Sequence, residues 1–265
     1  MFKLFVLFAL FAVSLSSPFG FIENKFNSLV SKFSNKAAYG YAATIYSSVT
    51  PSALSCMRQA GYSAVFVRVY KPDGAGVVDY DGFNTIKKAV SAGVGVEIFV
   101  TPQPQSTKSA VTQFDEVYQA ARSNNIDLRS IWLQVTSPIN WPNQVTSNIN
   151  FITSFLNRAA QYNLNAGIYT NWYDWQQITG GYTAKLNNVR LWYWNAYGNG
   201  ITAASSLDFS DFRAFGSFSS PIIKSYSLAA NVCNVIVNQN IFSNSNSKRA
   251  VETKTKSGKI IVGTI

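Results

Sequence analysis

The side chains available for chemistry in this chain are few. Its 265 residues hold 12 Asp and Glu, two Cys and no His. Without His there is no Ser-His or Cys-His nucleophile pair and no His-bound zinc, and two thiols cannot complete a four-thiolate centre. No metal and no cofactor is therefore expected. Carboxylate chemistry remains, with hydrogen bonding by amides and hydroxyls. Cleaving a glycosidic bond by the ordinary route needs two carboxyl groups roughly 5–10 Å apart across a sugar, so any such pair must come from these twelve acids. Asp174, in Asn171-Trp-Tyr-Asp174-Trp175, follows a strand-like run and is the acid best placed to face a site, although it also reads as a helix-start residue. Asp73, Asp79 and Asp81 sit in a Gly-rich loop and read as turn and cap residues. Asp208 and Asp211 read as a helix start, and Glu97 as the first part of a strand. Arg68 can meet a substrate carboxylate or a structural partner. Trp172, Tyr173, Trp175, Trp192, Tyr193, Trp194 and Tyr197 form an aromatic cluster on which sugar rings can stack. Strand alternation lets only about half of those on one strand face the same side.

The elements that must position these residues alternate between strand and helix. Strand-like runs fall at Tyr41–Tyr46, Ala64–Val69, Val96–Val100, Ser130–Val135, Ala166–Thr170, Arg190–Trp194, Pro221–Lys224 and Val235–Asn238. Thr50-Pro51 opens a helix that Gly61 stops, and Asp81 is the expected cap of a second ending at Gly93. Apolar stripes through Val111–Ala121 and Ile149–Ala159 mark two more helices. Eight short strands with helical crossovers point to an α/β chain folded as an imperfect (β/α)8, TIM-like barrel in a single domain. An open doubly wound sheet is the alternative, but no G-x-G-x-x-G follows the first strand. In a barrel the last strand lies beside the first, which brings Cys56 and Cys233 within reach of a disulfide worth on the order of 4 kcal/mol. Barrel sites lie at the C-terminal strand ends. There stand Thr44, Arg68 with Tyr70, Thr101, Gln134 with Thr136, Asn171, Asn195 and Asn238, and none of them is a carboxylate.

The ends differ from the middle. Lys3 followed by the apolar run Leu4–Val13 and Ser14-Leu15-Ser16 reads as a signal peptide over residues 1–16. Phe19, Ile22, Phe26, Leu29, Val30 and Phe33 suggest an amphipathic segment at 17–37, before a barrel domain at 38–242. Residues 243–265 read as a basic flexible tail, with Ile260-Ile261-Val262 oddly apolar. Residues 37–242 carry 13 bases and 10 acids, only +3 of the chain's +10. Basicity therefore belongs mainly to the ends and says little about the barrel's ligand. A secreted, extracellular monomer is expected, with no later transmembrane segment and no nucleic-acid partner.

Several segments carry a resemblance: Ala60-Gly-Tyr-Ser-Ala-Val-Phe-Val-Arg68-Val-Tyr70, Gly167-Ile-Tyr169-Thr-Asn171, Leu191-Trp-Tyr-Trp-Asn195-Ala-Tyr197, Asp211-Phe-Arg-Ala-Phe-Gly216, and Cys233-Asn-Val-Ile-Val-Asn238-Gln-Asn240. In order and spacing, from about Ala38 to Phe242, the chain resembles the glycoside hydrolase family 25 (Chalaropsis-type) lysozymes in their nematode and protist branch. The resemblance implies a peptidoglycan muramidase fold and a cell-wall glycan as partner. It also implies acids at four places, and these fall on Thr44, on Gln134 and Thr136 in Trp132-Leu-Gln134-Val-Thr136, and on Asn238. None of the four is acidic, so no catalytic residue of the family is expected to be intact, with Asp174 the possible substitute. The expected ligand-binding residues are Arg68, Tyr70, Tyr169, Trp172, Trp192, Trp194 and Tyr197. The expectation is a lysozyme-family protein of antibacterial innate defence that binds peptidoglycan or a related N-acetyl glycan with catalysis lost or strongly impaired, as in a pseudoenzyme. The alternatives are an active glycosidase using Asp174, and a cationic antibacterial effector acting through its basic ends.

Overall fold

The computed structural model of the chain describes residues 39–243, 255, 257–263 and 265. The expected signal peptide and amphipathic segment lie outside these residues. In order, the chain forms β1 (Tyr39–Ile45), α1 (Pro51–Gln59), β2 (Tyr62–Lys71), β3 (Val77–Val78), α2 (Tyr80–Ser91), β4 (Gly95–Val100), α3 (Ala110–Ser123), β5 (Ile126–Leu128) and β6 (Ser130–Gln134). It continues through α4 (Val145–Gln161), β7 (Asn165–Thr170), α5 (Trp172–Thr179), β8 (Arg190–Trp194), β9 (Ile223–Val232), β10 (Val235–Ser243) and β11 (Ile260–Val262).

Local chemistry sets the boundaries. Thr50 and Ser109 cap α1 and α3 through hydrogen bonds accepted from Ala53 N and Thr112 N. The helix expected to be capped by Asp81 is instead preceded by Asp79, with Asp81 in its first turn. Asp79 makes no side-chain cap bond, because its carboxylate is engaged by Arg68 at 3.0 Å. Most residues of the early strands are buried, and every residue of β4 is, as a sheet with side chains inside and helices outside requires.

Eight strands close a barrel in the order β1, β2, β4, β6, β7, β8, β9, β10, with β10 returning to β1. All eight strands read from the sequence are present. Neighbours are parallel from β1 through β9, but β10 runs antiparallel to both β9 and β1. The barrel is imperfect at this seam for a covalent reason. Only Cys233 and Asn234 separate β9 from β10, and both have positive φ (54° and 61°). A two-residue loop reverses a strand, whereas a parallel return takes a dozen residues or more. The reversal changes how Asn238 reaches the mouth. It lies in the first half of a descending strand, opposite Thr44, and not at the C-terminal end of an ascending one.

Aromatic side chains fill the barrel interior. Trp192 is fully buried, stacked on Tyr169 at 4.0 Å and in contact with Phe66 at 4.4 Å. Close packing leaves no room for a side chain at residue 167, where a Cβ would sit 2.2 Å from the Trp132 ring. At the opposite end from the mouth, Glu97 accepts hydrogen bonds from Ser130 Oγ, Trp132 Nε1 and Ile265 N. Arg190 donates to the Ile265 carbonyl and lies 5.0 Å above the Trp132 ring. Ile265 is buried among the interior aromatics, and β11 pairs in parallel with β5. The apolar run Ile260-Ile261-Val262, read as part of a flexible tail, is thus a strand. The two cysteines form a disulfide that ties α1 to the β9–β10 turn, with Cα atoms 6.0 Å apart. No helix among the described residues is long and apolar enough to cross a membrane.

Candidate functional site

The mouth of the barrel holds a hollow of about 280 Å³. Gln134 at the end of β6, Thr136 just beyond it, Tyr169 on β7, Asp174 on α5, Trp194 on β8 and Asn238 on β10 line it, together with Tyr46 and the Asn199, Leu228 and Ala229 wall. Gln134 is fixed on two sides: its carbonyl accepts from Thr101 Oγ1 at 2.6 Å and its amide donates to Thr136 Oγ1 at 2.9 Å. Asn238 accepts from Ala229 N at 3.0 Å and donates to the Tyr46 hydroxyl at 3.4 Å. Burial raises the phenol pKa of Tyr46 well above the ordinary range and that of Tyr169 to about 12. Both are neutral hydroxyls at any physiological pH.

Asp174 is the one carboxylate among the residues lining this hollow. The Asn171 side chain caps α5 by accepting from Asp174 N at 2.7 Å, which orients the first turn. Asp174 is 3% exposed, and its carboxylate accepts from the Trp194 indole N–H at 2.9 Å. Burial raises its pKa, while the Trp194 and Ser137 N–H donors pull the other way. Asp174 thus stands in the first turn of α5 and lines the mouth.

A second hollow, of about 410 Å³, shares Trp194 with the first as a lining residue. Trp172, Tyr173, Phe212, Arg213 and Asp211 contribute to it. Asp211 begins no helix. Its carboxylate accepts from buried Lys224 at 2.7 Å, from Asn195 at 2.6 Å and from the Tyr193 hydroxyl. Burial pushes its pKa up, but these donors outweigh burial and hold it low.

The two acids give opposite pH dependence. The folded pKa of Asp211 is depressed from 3.8, so its stabilisation is complete above that value and is lost as pH falls through the depressed one. The folded pKa of Asp174 is raised, so its stabilisation is present at low pH and is lost as pH rises through the raised one. Thermal midpoints measured across pH should show Asp211→Asn flattening the acid limb below about pH 4. Asp174→Asn should recover relative to the parent chain as pH rises above that point. Parallel profiles for all three proteins would refute the assignment.

The structure gathers some of the residues singled out in the sequence and separates others. Gln134, Thr136, Asn238, Asp174, Tyr169 and Trp194 meet at the mouth, and Trp172 lines the neighbouring hollow. Thr44 does not line the mouth: it is fully buried and accepts from Asn240 Nδ2 at 2.9 Å. Arg68 is a structural cation, bonded to Asp79 and to the Tyr46 carbonyl at 2.9 Å. Tyr70 is buried with its hydroxyl on Glu116, and Trp192 donates to Ser225 inside the barrel. Tyr197 is 78% exposed and lines neither hollow. Sequence reasoning missed Tyr46, Asn199, Leu228 and Ala229. Tyr46, at the end of the first strand-like run, carried a usable signal. The others depend on β9 extending to Val232, eight residues beyond the strand-like run that ended at Lys224.

Among the described residues no cluster of three or more Cys, Asp or Glu is placed to hold a metal. The mouth can therefore do what its groups allow. Amides and hydroxyls can bind sugar hydroxyls and acetamido groups, aromatic faces can stack on rings, and one buried acid can donate a proton. The two-carboxylate route needs a second free acid, and Asp211 is engaged by Lys224.

Comparison with known proteins places this geometry. The sequence profile described as lysozyme-like protein 1 matches residues 35–226. Lysozyme-like protein 7 of Caenorhabditis elegans is 47% identical over 230 residues, covering 87% of this chain and 80% of the relative. A probable family 25 lysozyme of Dictyostelium discoideum is 28% identical over 190 residues, 71% of this chain and 84% of that protein. Among solved structures, a family 25 lysozyme from Aspergillus fumigatus superposes with a TM-score of 0.61 at 13% identity, over 80% of this chain and 99% of that one. That likeness is one of fold.

Proposed function

The chain belongs to the lysozyme-like branch of glycoside hydrolase family 25, and on that premise we propose that its barrel mouth binds peptidoglycan, or a related N-acetyl glycan, without cleaving it. The observation that carries this reading is the make-up of the mouth: Gln134, Thr136 and Asn238 beside a single carboxylate, Asp174. Amides and a hydroxyl keep the hydrogen bonds that hold a sugar. They supply neither the acid that protonates the leaving oxygen nor the negative charge that stabilises the sugar cation. Absence of a general acid alone costs roughly 10²–10⁴-fold in rate, and absence of the electrostatic partner costs more. In this reading the protein is exported and serves antibacterial defence by recognising the wall.

A second reading rests on Asp174 itself. A buried carboxyl with a raised pKa, facing a sugar-sized hollow, has the character of a general acid, and a residual glycosidase would use it. Two measurements on the same protein separate the readings: clearing of bacterial wall suspensions, and retention on insoluble peptidoglycan. Retention without clearing is the expected result. Clearing that Asp174→Asn abolishes would overturn the binding reading in favour of the second.

A further inference from the structure

A third hollow, of about 510 Å³, is lined by α4 and by the segment 182–189 that leads into β8. Asn165 and Ala166, at the start of β7, also line it, whereas Tyr169, near the other end of the same strand, lines the mouth. The two hollows share no residue.

Five carboxamides line this third hollow: Asn157 on α4, Asn163 and Asn165 around the start of β7, and Asn187 and Asn188 before β8. Asn163 and Asn188 hold left-handed backbone, each at φ 57°, a conformation that Asn adopts more readily than most residues. That accounts for their residue type. Asn157, Asn165 and Asn187 have no such backbone role, and Asn157 stands inside a helix, where Asn is a poor former. Among the described residues none of the five side chains is hydrogen-bonded within the protein. Each therefore keeps two donors and an acceptor oxygen open to a ligand.

The charge of the lining narrows the ligand. Among the described residues no carboxylate lines this hollow, and Lys185, which is exposed, is its one charged side chain. A cation finds no opposing charge there, and a polyanion finds a single ammonium. Leu156, Leu164 and Leu186 add apolar surface beside the amides. The lining thus matches a neutral ligand that carries donors, acceptors and small apolar faces together. A pyranose ring bearing an acetamido group has all three.

We propose that this hollow is an accessory glycan site, remote from the barrel mouth, that takes a neutral N-acetylated sugar chain. Asn157 and Asn187 hold its hydroxyl and amide groups, and the leucines take up the acetamido methyl. The site shares no residue with the mouth, so either can fail in experiment without the other.

Calorimetric titration of the full chain with the soluble tetramer of β-1,4-linked N-acetylglucosamine tests this. The expected result is a site that Trp194→Ala, at the mouth, leaves at parent affinity. The joint replacement of Asn157→Ala with Asn187→Ala should weaken that site about tenfold or more, the effect of two neutral hydrogen bonds. Both asparagines are exposed, and near-UV circular dichroism of the joint variant should match the parent. In the parent, the side-chain amide NMR signals of Asn157 and Asn187 should move as the tetramer is added. Binding that Trp194→Ala abolishes while those amide signals stay fixed would overturn the accessory site, as would parent affinity in the folded asparagine variant. No binding of the tetramer by the parent would overturn it too. Each of these outcomes leaves the mouth reading to be decided by retention on insoluble peptidoglycan.

Discussion

Replacing Glu97 with alanine is expected to lower stability by about 3–5 kcal/mol, seen as a shift of the denaturant midpoint at unchanged slope. Glu97 is fully buried and accepts from Ser130, Trp132 and the backbone of Ile265. Close by, burial pushes the pKa of Arg190 down while the Glu97 charge pushes it up. Arg190 also has two buried nitrogens, Nε and Nη2, with no hydrogen-bond partner. Alanine would strip three donors of their acceptor and leave a guanidinium in a poorly solvated place without its opposing charge. Glu97→Gln retains the shape and some of the hydrogen bonds, so it should cost less. The joint replacement Glu97→Leu with Arg190→Met should recover only part of the loss, because it removes the uncompensated guanidinium but leaves the three donors without an acceptor. A cost below about 1 kcal/mol for the alanine variant would mean that this end of the barrel does not depend on the carboxylate.

Removing the disulfide is the other large effect. Cys56 and Cys233 are 177 residues apart in sequence. Closing a loop of that length restricts the unfolded chain by roughly 5 kcal/mol in the chain-entropy model, at the upper end of what natural disulfides contribute. For a chain of this size each kcal/mol moves the thermal midpoint by about 2–4 °C. The Cys56→Ser, Cys233→Ser double variant should therefore melt on the order of 10 °C below the parent. Reductant should lower the parent's midpoint by a similar amount and leave the variant's unchanged. A variant melting with the oxidised parent would show that the β9–β10 turn is held on α1 by packing alone.

The barrel was legible because its signals are local. Apolar runs such as Val96–Val100, Pro at the start of α1 and Gly61 after it each name an element without reference to the rest of the chain. The cysteine pairing followed once the first and last strands were set side by side. Other features were not legible because they depend on contacts between distant residues. Nothing near Asn238 announces that β10 descends; that follows from the φ angles of Cys233 and Asn234. Arg68 and Tyr70 stand at a strand end where ligands are expected, and only Asp79 and Glu116, brought in by α2 and α3, show them to be structural. Trp192 and Trp194 lie two apart on β8, yet one is core and the other lines both the mouth and the second hollow. The tail's apolar triplet was noticed, but its partner β5 is more than 130 residues away.

The reversed last strand also sets an order of events during synthesis. β1 pairs on one side with β2, which follows within about twenty residues, and on the other with β10, from Tyr39↔Ser243 to Thr44↔Asn238. At roughly 5–20 residues per second, the second edge of β1 waits on the order of 10–40 s for its partner to be made. Until then it is an open strand edge, able to pair with another chain. Cys233 arrives with the same hairpin, so the barrel seam and its covalent tie become available almost together.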